Sequence, residues 1–175
     1  MTKRKKFLCV VGFLAITLLL YVVNKPDVKR SFPQYQQEYT VMAAYLKEFA
    51  AAYDVSSVTI RAVSSYDRRQ AEAAGKGNEI ADYEMSYWAG TERREVGIMP
   101  ADMDGAVYEA LDTLFDAGVT VVHCSAHELQ QICFEQDRTH GLCYTRRARP
   151  HLDYAKTIEE LCENWYYYVL DYTLD

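Results

Sequence analysis

The residues with the most chemical potential fall in the last third of the chain: His123, Cys124, His127, Cys133, His140, Cys143, His151 and Cys162. A histidine beside a cysteine can generate a thiolate nucleophile when a third group orients the ring. Two neighbourhoods bring both residue types close in sequence, Cys124 with His127 and His140 with Cys143. A hydrolase built on such a His/Cys centre is one reading. His123 and His127 are four apart, which on a helix would put two imidazoles on one face. The segment Val119 to Cys124 is rich in branched residues, however, and predicts a strand. The two histidines then lie at a strand end and in a loop, where that spacing has no meaning. The cysteines outside the first thirty residues lack the paired C-x-x-C spacing of a zinc centre. No metal and no cofactor is expected.

Cys133 and Cys143 invite a geometric argument. Gln130 to Gln136 and Leu142 to Arg147 read as two strands joined through Asp137-Arg138-Thr139-His140-Gly141. A hairpin centred on Arg138 sets Cys133 directly opposite Cys143. With Ile132, Phe134, Leu142 and Tyr144 facing inward, both thiols point to the other face. A non-hydrogen-bonded cross-strand pair has the Cβ separation, roughly 4 Å, that a disulfide needs. A disulfide between Cys133 and Cys143 is therefore expected if the domain meets oxidising conditions. Cys124 and Cys162 could pair by elimination or stay as buried thiols.

Other signatures of chemistry are missing. The chain has no Gly-x-Ser-x-Gly elbow, Walker loop, dinucleotide fingerprint or His-Glu-x-x-His helix. Gly75-Lys76-Gly77 lacks the frame of a phosphate loop. Asp102 and Asp104 are better read as acids at a helix start than as a catalytic pair. Arg146, Arg147 and Arg149 read as a solvated strand end or loop.

These residues need elements to hold them. Tyr35, Tyr39, Met42, Leu46, Phe49 and Tyr53 recur at intervals of four and three, one stripe of a helix opened by Ser31 as cap and Pro33 in the first turn. The stripe suits packing on the domain's own sheet, and it also offers a homodimer face, Tyr35 to Tyr53, if the sheet leaves it open. Met103, Val107, Ala110, Leu111, Leu114 and Phe115 predict a second helix ending at Gly118. Strands are expected at Val58 to Val63, Ile80 to Trp88, Glu92 to Met99, Val119 to Cys124, the two around the cysteine hairpin, and Trp165 to Tyr172. Ser64 to Asn78 reads as a loop with room for a helical turn near Arg69 to Ala74, and Ile158, Leu161, Cys162 and Trp165 hint at another helical turn. The whole predicts an α+β domain: a mainly antiparallel sheet of about six strands with two helices on one face.

The chain's first thirty residues set its compartment. Lys3, Arg4, Lys5 and Lys6 precede Phe7 to Val23, seventeen residues without a charged side chain. As a helix this run would span roughly 25 Å, enough for a thin bilayer. No small-x-small cleavage site follows, so an uncleaved transmembrane anchor is expected rather than a signal peptide. The cations ahead of it favour a cytoplasmic N-terminus. This divides the chain into a basic segment (1–6), the anchor (7–23), a stalk (24–30) and an extracytoplasmic domain (31–175). Beyond Arg30 there are twelve Lys and Arg against twenty-four Asp and Glu. A domain so acidic repels nucleic acid and anionic lipid. Together with the fifteen tyrosines, it suits a binding or structural module for a protein or envelope partner.

Overall fold

A computed structural model describes residues 27–75, 80–125 and 131–173. The expected anchor, Phe7 to Val23, lies outside them. Among the described residues, no helix is long and apolar enough to cross a membrane. They form three helices, α1 (Val28–Tyr53), α2 (Ser65–Ala73) and α3 (Gly105–Asp116). The strands are β1 (Val55–Ala62), β2 (Tyr83–Ala89), β3 (Glu92–Ile98), β4 (Val121–Ser125), β5 (Gln131–Glu135), β6 (His140–Thr145), β7 (Ala155–Cys162) and β8 (Trp165–Leu170). All eight belong to one sheet in the order β3-β2-β1-β4-β5-β6-β8-β7. Every neighbouring pair is antiparallel. The domain is therefore α+β, as the patterning predicts, with eight strands in place of six and a third helix. That third helix, α2, is capped by the Ser64 hydroxyl and buries no residue, so the helical cover of the sheet comes from α1 and α3.

The helix α1 starts earlier than its sequence suggests. The cap is Asp27, whose carboxylate accepts from the amides of Lys29 and Arg30, and not Ser31. Val28, Lys29 and Arg30, read above as stalk, form the first turn. Pro33 lies inside the helix and the backbone kinks at Tyr35 (φ −112°, ψ 20°), because proline offers no amide to the preceding turn. The first turn is fastened to the far half of the sheet. Val28 is fully buried, its amide donates to Gln136 Oε1 at 3.2 Å, and Lys29 pairs with Glu159 at 2.6 Å.

The middle of the α1 stripe packs on the sheet, while Tyr53 at its end is 62% exposed. Tyr39, Met42 and Leu46 are wholly buried, and Phe49 packs edge-on against Tyr87 of β2. Trp165 of β8 is the hub: its ring lies 5.1–5.8 Å, centroid to centroid, from those of Phe32, Tyr39, Phe134 and Tyr144. The Tyr39 hydroxyl is buried in this cluster and has no hydrogen-bond partner among the described residues. A buried polar group left unsatisfied costs about 1–3 kcal/mol. Tyr39→Phe should therefore raise the urea midpoint at unchanged slope; a lower midpoint would show that the hydroxyl is satisfied after all.

Two further elements differ from expectation. Asp104, not Asp102, caps α3, accepting from the Ala106 amide at 2.9 Å; Asp102 instead accepts from the Met99 amide and closes the 3-10 turn Pro100–Asp102. The segment read as a helical turn around Ile158 is the edge strand β7. Its pairing with β8 slips between Ala155 and Thr157 and again between Glu160 and Cys162. Each bulge adds a residue and breaks the two-residue period: Ile158 packs beside Cys133 and Cys143, Leu161 and Cys162 against the helix-covered core.

Candidate functional site

The side of the sheet away from α1 and α3 carries the chemistry. Successive strand registers place Glu95, Ser86, Thr59, His123, Cys133, Cys143, Tyr166 and Glu160 opposite one another, one residue from each strand. They form a single row across the whole sheet. Its central members are His123, Cys133 and Cys143, on β4, β5 and β6.

The hairpin register is the one read from the sequence: Cys133 faces Cys143 across a loop centred on Arg138. The Gln136 amide donates to the His140 carbonyl at 2.9 Å. Counting back by the alternation of an antiparallel ladder makes Cys133 and Cys143 a non-hydrogen-bonded pair, the closer kind. Both are buried, at 1% and 0% exposure. The Cys133 thiol is held below the ordinary cysteine range: the hydrogen bond from Cys143 outweighs the opposing effect of burial, and the His123 charge and the Gln131 amide act in the same direction. Burial works against a charge on His123. The Glu135 carboxylate, 3.2 Å from Nδ1, and the neighbouring Cys133 prevail and raise its pKa. The imidazole remains 39% exposed.

A strap of chain after β6 closes over the two sulfurs. Gln131, itself buried, clips it by mimicking a strand: Nε2 donates to the His151 carbonyl and Oε1 accepts the His151 amide, both at 2.9 Å. The Tyr166 hydroxyl donates to the Ala148 carbonyl at 3.1 Å. Leu152, Ile158 and Leu170 pack against Cys133, Cys143 and Tyr168. The strap thus covers the β5-β6-β8 half of this face. Arg146, Arg147 and Arg149 lie on it, exposed. Over β3-β2-β1-β4 the same face stays exposed or half-buried, with Trp88 43% exposed.

The other sequence-derived pairs are not brought together. Cys124 lies on the helix-covered face, where burial and the nearby Cys133 push its pKa up to about 11; its expected partner His127 is outside the described residues. His140 and Cys143, three positions apart on one strand, point to opposite faces. The His140 ring is engaged by Asp137 and Thr139 at 3.0 and 2.7 Å. Cys124 and Cys162 share a row with Ile132, Tyr144 and Trp165. They stand at its two ends, four strand spacings or about 19 Å apart, so they cannot be bridged. Lys76 and Gly77 are outside the described residues. Among the described residues, no group of three or more His, Cys, Asp or Glu side chains is placed to hold a metal ion. The pairing that sequence reading missed is His123 with Cys133. Its signal was present: a hairpin centred on Glu128 sets the two opposite each other.

A second hollow of about 450 Å³ lies at the end of the sheet, lined by Arg68, Asp82, Tyr83, Asp112 and Asp116 among others. Its polar groups are largely engaged. Tyr83 donates to Asp112 at 2.6 Å, Tyr108 to Asp82 at 2.7 Å, and Arg68 reaches Asp82 at 3.2 Å.

The architecture defines a small α+β domain with one helix-covered face and one partly open face. Compared with protein-family models, curated proteins and solved structures, the chain has no significant match.

Proposed function

We propose that this chain is a single-pass membrane protein whose acidic domain, outside the cytoplasm, is a binding or structural module for a protein or envelope partner. The anchor is the apolar run Phe7 to Val23, with its N-terminal cations on the cytoplasmic side. The observation that carries the binding reading is the open half of the sheet. There Trp88 is 43% exposed beside Ser57, Ser86 and Thr59, and the surrounding charges are paired, Arg61 with Glu84 and Arg93 with Glu95. An exposed tryptophan on a flat, charge-balanced face is the kind of anchor that carries binding energy at interfaces.

A photo-crosslinking residue at Ser86 in the full chain tests this in intact membranes. A discrete adduct is expected, lost on Trp88→Ala and absent when the probe sits at Gln37 on the outer side of α1. Adducts of equal yield at both positions, or none at Ser86, would remove the open face as the binding surface. The compartment is tested separately: protease added to intact cells should digest the portion after Arg30.

The alternative, a hydrolase with a His/Cys centre, gains one observation, the cross-strand placement of His123 and Cys133. Cys133 is only 1% exposed and lies beneath the strap, which leaves no room for an acyl substrate at the sulfur. The binding module is the better reading.

A further inference from the structure

The row His123, Cys133, Cys143 holds two thiols and a base in register on three adjacent strands, and the binding reading uses none of them. We propose that Cys133 and Cys143 are a redox-active dithiol that reduces a small hydroperoxide and closes to a disulfide, with His123 supplying a proton to the departing oxygen. Three features of the site support this. The sulfurs occupy a non-hydrogen-bonded cross-strand pair, whose Cβ separation permits a bond without moving the strands. The imidazole faces Cys133 from the neighbouring strand and is held by Glu135. His123, 39% exposed, is the solvent-reachable member of the row, while Leu152 and the Gln131 clip lie over the two sulfurs. Sulfurs this well covered exclude a disulfide carried by another protein and leave an oxidant of a few atoms as the fitting substrate. The hydrogen bond from Cys143 and the His123 charge lower the pKa of Cys133 against burial and so favour the thiolate that such a reaction needs.

The steps balance. The Cys133 thiolate attacks the terminal oxygen of the hydroperoxide and the O–O bond breaks. Cys133 becomes a sulfenic acid, and the alkoxide or hydroxide leaves with the proton of the His123 imidazolium. The Cys143 sulfur then attacks Cys133. The S–S bond forms, the S–O bond breaks, and hydroxide departs with the Cys143 proton as water. The dithiol gives up two electrons and the peroxide is reduced. A small external thiol would restore the pair by exchange.

The test uses the reduced full chain in mild detergent with equimolar hydrogen peroxide. The intact mass should fall by two hydrogens, and peptide mapping should join Cys133 to Cys143, with Cys124 and Cys162 still open to iodoacetamide after unfolding. Cys143→Ser should leave a sulfenic acid on Cys133 that dimedone captures. His123→Gln should slow the wild-type bond formation at least about tenfold, as loss of a general acid does, with the thermal midpoint unchanged. The proposal is overturned if oxygen adds to methionines while both thiols persist. It is equally overturned if the bond forms no faster than in urea-unfolded chain, or if His123→Gln leaves the rate unaltered. None of these outcomes depends on the anchor or the partner, so this proposal and the binding reading stand or fall separately.

Discussion

Truncating Trp165 to alanine should lower the unfolding free energy by about 3–5 kcal/mol. The side chain is 3% exposed and is ringed by Phe32, Tyr39, Phe134 and Tyr144. Its neighbours belong to α1, β5 and β6, so the void would open at the point where helix and sheet meet. Collapse into that void is resisted from two sides, since Tyr39 is packed between Phe32 and Phe134 at 5.7 and 5.0 Å. With a whole-domain stability of about 5–15 kcal/mol, roughly a fifth of the total or more would go. Guanidinium unfolding followed by circular dichroism should show a midpoint lowered in that proportion. Trp165→Phe, which keeps a ring in place, should lose much less. Equal losses for the two variants would mean that the cluster does not act as packed matter around the indole.

Gly141→Ala should cost about 3 kcal/mol, at the upper end of overpacking, although alanine adds a single methyl group. A Cβ built on Gly141 would stand 2.5 Å from the Tyr168 hydroxyl oxygen, 2.7 Å from its ring carbon and 2.6 Å from the Phe134 carbonyl oxygen. The Tyr168 ring lies over the glycine from the next strand, where the two are register partners. A tyrosine tip can yield, but the carbonyl of β5 cannot move without disturbing the cysteine hairpin. Combining Gly141→Ala with Tyr168→Leu should therefore recover only part of the loss, with a coupling of roughly 1 kcal/mol. Full recovery would show that the Phe134 carbonyl is no obstacle, and a loss near zero for the single variant would contradict the close approach altogether.

What the sequence disclosed depended on whether the period stayed regular. The stripe of α1 and the inner face of α3 were legible because their helical spacing persists over several turns. The Cys133–Cys143 register was legible because both strands alternate cleanly around a loop of obvious centre. The edge strand β7 was not, because two bulges interrupt its two-residue period. The cap of α1 was misplaced because Pro33 suits a first helical turn, whereas it lies within the helix and produces a kink. His123 and Cys133 escaped notice for a different reason. A sheet pairs residues by register and not by nearness along the chain, and these two are ten positions apart.

The early start of α1 bears on how far the domain can travel. With the proposed anchor ending at Val23 and the helix beginning at Val28, the leash between them is four residues, about 14 Å at full stretch. Its outer end is no hinge, because Val28 is buried and Lys29 is bridged to Glu159. Given such an anchor, a tether this short would confine the domain to the neighbourhood of the bilayer, and a partner of the Trp88 face would have to come within a domain's breadth of the lipid to be met.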